Sequence, residues 1–326
     1  MTSDSSSRDP GKEPVPTPDD PARSPSGAEA AASDQAPLDA DESEGPTTAS
    51  LPPPWGEHVL PAEGTLALRL GSHDLWFRWR EGEIRVSDQD RGAGSGDLAT
   101  WGFGSPDPEP PPDAEWSRWA TPSEEREVSL RPALPDRPVV LEPEWPFRLL
   151  PGAEARVFVR VPLWIRMDLV VRDPGGEEGI RRVRLQESPA VLMSDTWWGE
   201  LHSGELAYWL PTTARRTMAT RLFAPHVAIC PLVLRNRANE DLRVEKLALR
   251  TNHLSLFVQD RRIWSDESRV LYQGGEEGSQ IEMAGRAPPE AEGAKLVSGP
   301  RTPIQRGFRA RTFDRIKALP GLGGGL

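Results

Sequence analysis

SDTWWGELHSGELAYWLPTTARRT, residues 194–217, is the stretch around which the rest of the sequence is organised. It contains three of the twelve tryptophans, the tight corner Ser203–Gly204 and the pair Arg215–Arg216. Because successive side chains of a β-strand point to opposite faces, Trp197 and Trp198 face opposite ways if they lie in a strand, and at most one is free for a ligand. We interpret the stretch as the start of a second β-domain.

On both sides of this stretch, apolar residues recur at every second position, which is typical of β-strands. The alternation runs through 66–70 and 155–161 upstream and through 254–258 downstream. Residues 227–234 are apolar on both faces, as expected for a central strand. Short strands about ten residues apart, with turn signals between them, favour a sandwich or barrel. The sequence therefore predicts an all-β fold with two antiparallel β-sandwich-like domains.

The charge and composition divide the chain into five segments. Residues 1–50 hold eleven of the acidic and three of the basic side chains and almost no large apolar ones, which predicts disorder. Near the other end, Phe313, Ile316 and Leu319 can share one face of a short helix in a basic stretch. The predicted organisation is a disordered acidic tail (1–54), two β-sandwich domains (55–190 and 191–274), a Gly- and Pro-rich linker (275–300) and a basic C-terminal segment (301–326).

Composition also limits the classes of function. The single Cys230 excludes a disulfide framework within the chain. No apolar run reaches the length of a membrane-spanning helix, and no secretory signal is visible, so a cytoplasmic protein is expected. Outside the acidic tail the net charge is only −3, without the concentrated basic face that nucleic-acid binding needs.

Few side chains in the sequence indicate catalysis. The five histidines have no metal-ligand spacing, so no metal and no cofactor are predicted. His202 lies between Glu200 and Glu205 and can form a His–carboxylate pair for general-base chemistry, but a solvated histidine in a turn is the favoured interpretation, so no catalytic residue is predicted. Paired arginines can hold a phosphate or carboxylate, although solvated salt bridges are commoner. The candidate ligand-binding residues are Trp197, Trp198, His202, Arg215 and Arg216.

The basic segment 301–326 has two interpretations. It can lie on anionic lipid or on a partner as an amphipathic surface helix, which would place the protein at the inner face of the membrane. The favoured alternative is a terminal helix that docks on the protein's own body or on its acidic N-terminal tail.

Two pieces of sequence, TWWGELHSGELAYWLPTTARR (196–216) and CPLVLRNRANEDLRVEKLALRTNHLSLFV (230–258), resemble an uncharacterised prokaryotic family, the domain-of-unknown-function family numbered 432. The resemblance covers residues 55–274 and leaves both tails outside. The family has no assigned activity or catalytic residues, so the resemblance carries none over to this sequence. It does imply a membrane-associated partner, since members occur alongside mechanosensitive-channel genes.

The sequence thus predicts a non-enzymatic interaction or accessory module with a protein partner, and the resemblance favours a membrane protein such as a mechanosensitive channel. The alternative is a β-sandwich that binds, or hydrolyses, a carbohydrate or another small ligand through exposed tryptophan. A purely structural scaffold is the third hypothesis.

Overall fold

The structure, a computed structural model, describes residues 51–310, apart from residue 81 and the segments 93–102, 105–106, 108, 122–125, 173–178, 275–278 and 304–308. The described elements are 23 β-strands and three short 3-10 helices, the latter at Thr220–Leu222, Thr251–His253 and Pro289–Ala291. The predicted all-β class, with several antiparallel sheets, is confirmed. The acidic tail up to residue 50 and the predicted C-terminal helix after residue 310 lie outside the described residues. None of the helices described is long and apolar enough to cross a bilayer.

Two antiparallel sheets are built mainly from the first half of the chain. The first sheet has the order β1-β7-β11-β12, formed by β1 (Gly56–Val59), β7 (Glu127–Ala133), β11 (Trp164–Arg172) and β12 (Ile180–Pro189). The second has the order β5-β2-β3-β4-β6, formed by β2 (Leu66–Leu70), β3 (His73–Arg80), β4 (Glu83–Asp90), β5 (Phe103–Gly104) and β6 (Ser117–Ala120). Strands β2, β3 and β4 form consecutive hairpins, and the predicted alternation at 66–70 falls on β2.

A third sheet carries the tryptophan-rich stretch. Its order is β13-β14-β8-β17, formed by β8 (Val139–Leu141), β13 (Ser194–Trp198), β14 (Glu205–Trp209) and β17 (Leu247–Leu249). Strand β14 pairs with β8 in parallel. A two-stranded sheet beside it joins β9 (Phe147–Leu149) to β16 (Leu242–Val244).

The largest sheet is centred on β15 (Val227–Asn236), the strand that is apolar on both faces. Strand β15 pairs antiparallel with β10 (Glu154–Pro162) over the whole of β10, and in parallel with two later strands. Its remaining members are β18 (Leu256–Gln259), β19 (Arg262–Ser265), β20 (Ser268–Tyr272), β21 (Ser279–Met283), β22 (Lys295–Ser298) and β23 (Arg309–Ala310).

The pairing of β10 with β15 crosses the domain boundary predicted at residue 190. One hydrophobic core cluster likewise contains residues from four of the predicted segments. They are Leu51 of the tail, Ile165 of the first domain, Leu234 of the second domain and Val297 of the linker. All described residues belong to one compact unit. The segments 55–190 and 191–274 therefore share a sheet and a core.

Two local features differ from the sequence-based expectation. Strands β21 and β22 lie in the predicted linker 275–300, where Ile281 and Val297 are buried. The apolar alternation changes phase at Glu245–Lys246, a pattern that by itself predicts a β-bulge. The structure has a change of sheet there instead, because β16 pairs with β9 whereas β17 pairs with β8. A chain that leaves one sheet for another can change the face that it buries without an extra residue inside a ladder.

Candidate functional site

The tryptophan-rich stretch folds as a hairpin at the edge of the third sheet. Strands β13 and β14 pair antiparallel from Ser194↔Trp209 to Trp198↔Glu205, and residues 199–204 form the turn. Strand β13 is the last strand of its sheet, so its outer edge has no neighbour among the strands that the structure describes. An edge strand of this kind offers backbone donors and acceptors to another chain.

The two adjacent tryptophans have different environments. The side chain of Trp198 is buried, with 4 % of the residue exposed, and it packs with Val140, Ala207 and Ala248. Trp197 points to the opposite face and is 51 % exposed. Of the two candidate residues, Trp198 is therefore a core side chain and Trp197 is the one that a partner or ligand can reach.

The turn holds the Trp197 ring in place. Its indole Nε1 donates a hydrogen bond to the Glu200 carbonyl at 3.0 Å, and the same oxygen accepts from the backbone N–H groups of Ser203 and Gly204. A Cβ atom at Gly204 would lie 2.3 Å from the Trp197 Nε1, so only glycine lets the ring lie against the turn. Trp197 is consequently exposed and rigid, which lowers the entropy lost when it binds.

Two leucines extend the exposed surface beside Trp197. Leu206 is its cross-strand partner and is also exposed, and Leu201 at the tip of the turn is 80 % exposed. We call Trp197, Leu201 and Leu206 the hairpin patch. Single exposed apolar residues are ordinary, whereas neighbouring ones on a sheet edge are typical of a binding surface.

The other three candidate residues have separate surroundings. His202 is an exposed residue of the turn. Arg215 forms a backbone bridge with Phe158 of β10 and an ion pair with Glu144 at 4.0 Å. The Arg216 guanidinium lies 5.9 Å from the centre of the Phe147 ring.

These contacts belong to different strands. Arg215 and Arg216 lie against residues of β9, β10 and the loop between β8 and β9, rather than against the β13–β14 hairpin. The contacts of the two arginines are local and include an acid and an aromatic ring, as expected for arginines that cover a surface.

A shallow groove of about 500 Å³ lies beside β3 and was not anticipated from the sequence. Arg78 crosses it, donating to the Thr65 hydroxyl at 2.9 Å and approaching Glu109 at 3.5 Å. Two acids and two arginines line the groove, namely Glu63, Glu109, Arg78 and Arg80. Neither sign of charge is in excess there.

The outer face of the first sheet is a second polar region that the sequence did not reveal. Its centre is the carboxylate of Asp168, which is buried and accepts from Arg131 at 2.7 Å and from Arg184 at 2.5 Å. These residues come from β7, β11 and β12, and only the pairing of those strands brings them together. In the sequence, these residues appear as an arginine or an acid at alternate positions of a strand. A strand with an ordinary solvent-exposed face has the same pattern.

Burial raises the pKa of two titratable groups in or beside the largest sheet. Desolvation raises the pKa of Asp266 to about 6, against hydrogen bonds from backbone N–H groups that favour its charged form. Desolvation likewise raises the pKa of the Cys230 thiol to about 12. Across the described ranges, no cluster of three or more His, Cys, Asp or Glu side chains is arranged to hold a metal ion.

Comparison with protein families gives one match. The model of a family described as "Protein of unknown function (DUF432)" matches residues 54–317, which is most of the chain. No curated protein and no solved structure matches.

Proposed function

The chain belongs to the DUF432 family, and we propose that it acts as a non-enzymatic interaction module whose hairpin patch binds a protein partner. The observation that carries this proposal is the state of Trp197, which is half exposed yet fixed by its hydrogen bond to the Glu200 carbonyl. Rigid aromatic side chains, tryptophan above all, are common anchors of protein interfaces.

The free edge of β13 gives the partner a second means of attachment. An extended segment can pair with this strand and place alternate side chains on the hairpin patch. Backbone pairing supplies affinity that depends little on sequence, and the Trp197 ring supplies selectivity.

The charges of the hairpin favour a protein over a bilayer surface. Glu200 and Glu205 lie in or beside the turn, and Glu205 is paired with the buried Arg250. Since Arg250 balances Glu205, Glu200 is the acid of the turn that opposes binding to anionic lipid headgroups. The soluble part of a membrane protein, such as a mechanosensitive channel, remains the partner class that we propose to test first.

The test is a quantitative pull-down with the full chain and two tryptophan variants. Trp197→Ala removes the anchor, and Trp145→Ala is the matched control because Trp145 is also exposed, at 78 %, but is not part of the hairpin. We expect one stoichiometric protein partner whose affinity falls at least about tenfold in Trp197→Ala, as for an interface anchor, and is unchanged in Trp145→Ala. Equal recovery with the wild type and both variants would overturn the proposal.

Carbohydrate binding is a second candidate, favoured by the exposed flat face of the same indole. Sugars stack on such rings, and a fixed ring needs no rearrangement. A glycan array distinguishes the two hypotheses: saturable binding to one glycan class that is lost in Trp197→Ala supports the carbohydrate hypothesis. Absence of glycan binding together with a Trp197-dependent protein complex supports the interaction module.

A further inference from the structure

The outer face of the first sheet carries two groups of charged residues that differ in balance. In the first group, Arg172 and Arg182 pair with Glu57 and Glu127 at distances from 2.7 to 3.5 Å. Two positive charges meet two negative ones. Among the described residues this group has as many acids as arginines, although the Nε of Arg182 also lacks a hydrogen-bond partner there. Because its charges balance, it is the internal reference for the second group.

The second group contains more arginines than acids. Four guanidinium groups share two carboxylates, and we call the set the arginine cluster: Arg131, Arg166, Arg184, Arg301, Asp168 and Glu187. Asp168 accepts from two of the arginines. Glu187 faces three of them, Arg184 at 2.9 Å, Arg166 at 3.7 Å and Arg301 in closer contact. Four positive charges against two negative ones leave an excess of two.

Arg166 is the least compensated member of the arginine cluster. Its Nε atom is buried and has no hydrogen-bond partner within the described part of the chain. Its only ion pair there is the long one to Glu187, which two other arginines share. Arg166 also lies directly opposite Arg131 in the β7–β11 register, an arrangement of like charges that destabilises a sheet.

The electrostatics agree with this geometry. Burial lowers the pKa of Arg166, and the nearby Arg301, Arg184 and Arg131 act in the same direction against Glu187. A guanidinium in such surroundings gains from any further negative charge. The arginine cluster is also reachable, because Arg131 and Arg184 keep about two fifths of their side chains exposed and Arg166 keeps one fifth.

We propose that the arginine cluster is a binding site for a phosphate group, either of a soluble phosphomonoester or of a lipid headgroup. A phosphate dianion carries the two negative charges that the cluster lacks. It offers several acceptor oxygens, and guanidinium forks bind such oxygens in pairs. Asp168 and Glu187 hold the guanidiniums in place beforehand, so little ordering is required on binding. The arginine cluster shares no residue with the hairpin patch.

The first experiment measures binding of inorganic phosphate to the full chain by calorimetric titration, with ionic strength held constant by sodium chloride because screening alone changes surface electrostatics. Arg166→Gln removes the uncompensated charge, and Arg172→Gln is the matched control in the balanced group on the same face. We expect phosphate affinity to fall about tenfold or more in Arg166→Gln and to be unchanged in Arg172→Gln. No saturable binding by the wild type, or equal losses in both variants, would overturn the proposal.

A second variant gives a change of opposite sign. Glu187→Gln removes a carboxylate that competes with phosphate for three arginines, so phosphate should bind more tightly, on the order of tenfold. A purely structural salt-bridge network predicts no gain. If Arg166→Gln does not fold, two other variants test the site. Tighter phosphate binding by Glu187→Gln together with weaker phosphate binding by Arg131→Gln supports it. Unchanged phosphate affinity in both variants contradicts it.

Vesicles distinguish the two sources of phosphate. Flotation with phosphatidic acid in phosphatidylcholine vesicles, compared with phosphatidylcholine alone, tests the headgroup. Arg166-dependent flotation that inorganic phosphate displaces assigns the site to a lipid phosphate. Phosphate binding without flotation assigns it to a soluble phosphate compound.

Discussion

Asp266 makes the stability of the protein depend on pH in a direction opposite to that of most acidic groups. The residue is only 1 % exposed and lies between β19 and β20. Its carboxyl oxygens accept from the backbone N–H groups of Ser255 at 2.9 Å and Gly285 at 3.0 Å. Burial nevertheless dominates and raises the pKa from 3.8 to about 6.

The sign follows from which state binds the proton. Between the unfolded and folded pKa values of Asp266, the folded state holds a proton that the unfolded state has lost. The contribution of Asp266 to the free energy of unfolding is therefore present at low pH and is lost as the pH rises through about 6. The difference between the ordinary pKa of 3.8 and the folded-state pKa of about 6 corresponds to about 3 kcal/mol at most. About 2 to 3 kcal/mol of it is lost between pH 4 and pH 7.

Asp266→Asn isolates this contribution because its side chain is neutral throughout. The measurement is urea unfolding of both proteins, followed by circular dichroism, at a series of pH values from 4 to 7. We expect the free energy of unfolding of the wild type, relative to the variant, to fall by about 2 to 3 kcal/mol over this range. The comparison matters because burial lowers the pKa of His73. That group loses its stabilising contribution as the pH falls below its ordinary value, but it is present in both proteins.

Asp241→Asn serves as the control for loss of one acidic charge, since Asp241 is well exposed. The predicted pH dependence fails if the difference in free energy of unfolding between the wild type and Asp266→Asn stays constant from pH 4 to pH 7. It also fails if the difference grows with pH, because that sign belongs to an acid whose charged form the fold stabilises.

Three further predictions concern buried positions. Trp198→Ala should lower the free energy of unfolding by about 3 to 5 kcal/mol, as for other buried tryptophans. Trp197→Ala should change it by less than about 1 kcal/mol. Chemical denaturation measures both changes. Gly71→Ala should cost about 2 kcal/mol or more, because its φ is +64° and the added Cβ would lie 2.2 Å from the Ala190 carbonyl oxygen; a thermal melt that matches the wild type would contradict this. Cys230 is fully buried, and its thiol, with a pKa raised to about 12, should react with a disulfide reagent only at the rate of global unfolding; faster labelling in native buffer would show that the fold opens locally.

The strands could be predicted wherever one face is buried, because the alternating pattern reports burial directly. Residues 227–234, apolar on both faces, indicated a central strand, and β15 is central to the largest sheet. Strands β21 and β22 escaped detection because few of their side chains are buried, with Ile281 and Val297 the clearest cases. A strand that contributes one or two core residues leaves no period in the sequence.

The candidate site could be predicted only in part, and for a related reason. Trp197 and Trp198 are adjacent, so the geometry of one strand was enough to divide them between two faces. The members of the arginine cluster are spread from residue 131 to residue 301. The pairing of β7, β11 and β12 brings most of them together, and Arg301 reaches them from the chain after β22 through its contacts with Leu134 and Glu187. The choice of strand partners depends on the whole fold, and no local pattern encodes it.

The long ladder between β10 and β15 also affects how the protein is made. Roughly 65 residues separate the end of β10 from the start of β15, so a ribosome adding about 5 to 20 residues per second needs about 3 to 13 s to supply the partner. During that time a nascent chain carries an apolar strand with an open edge, the form most prone to pair with other chains. We therefore expect the yield of the protein to depend on chaperones and on translation speed, and a fragment that ends before β15 to keep that edge of β10 unpaired.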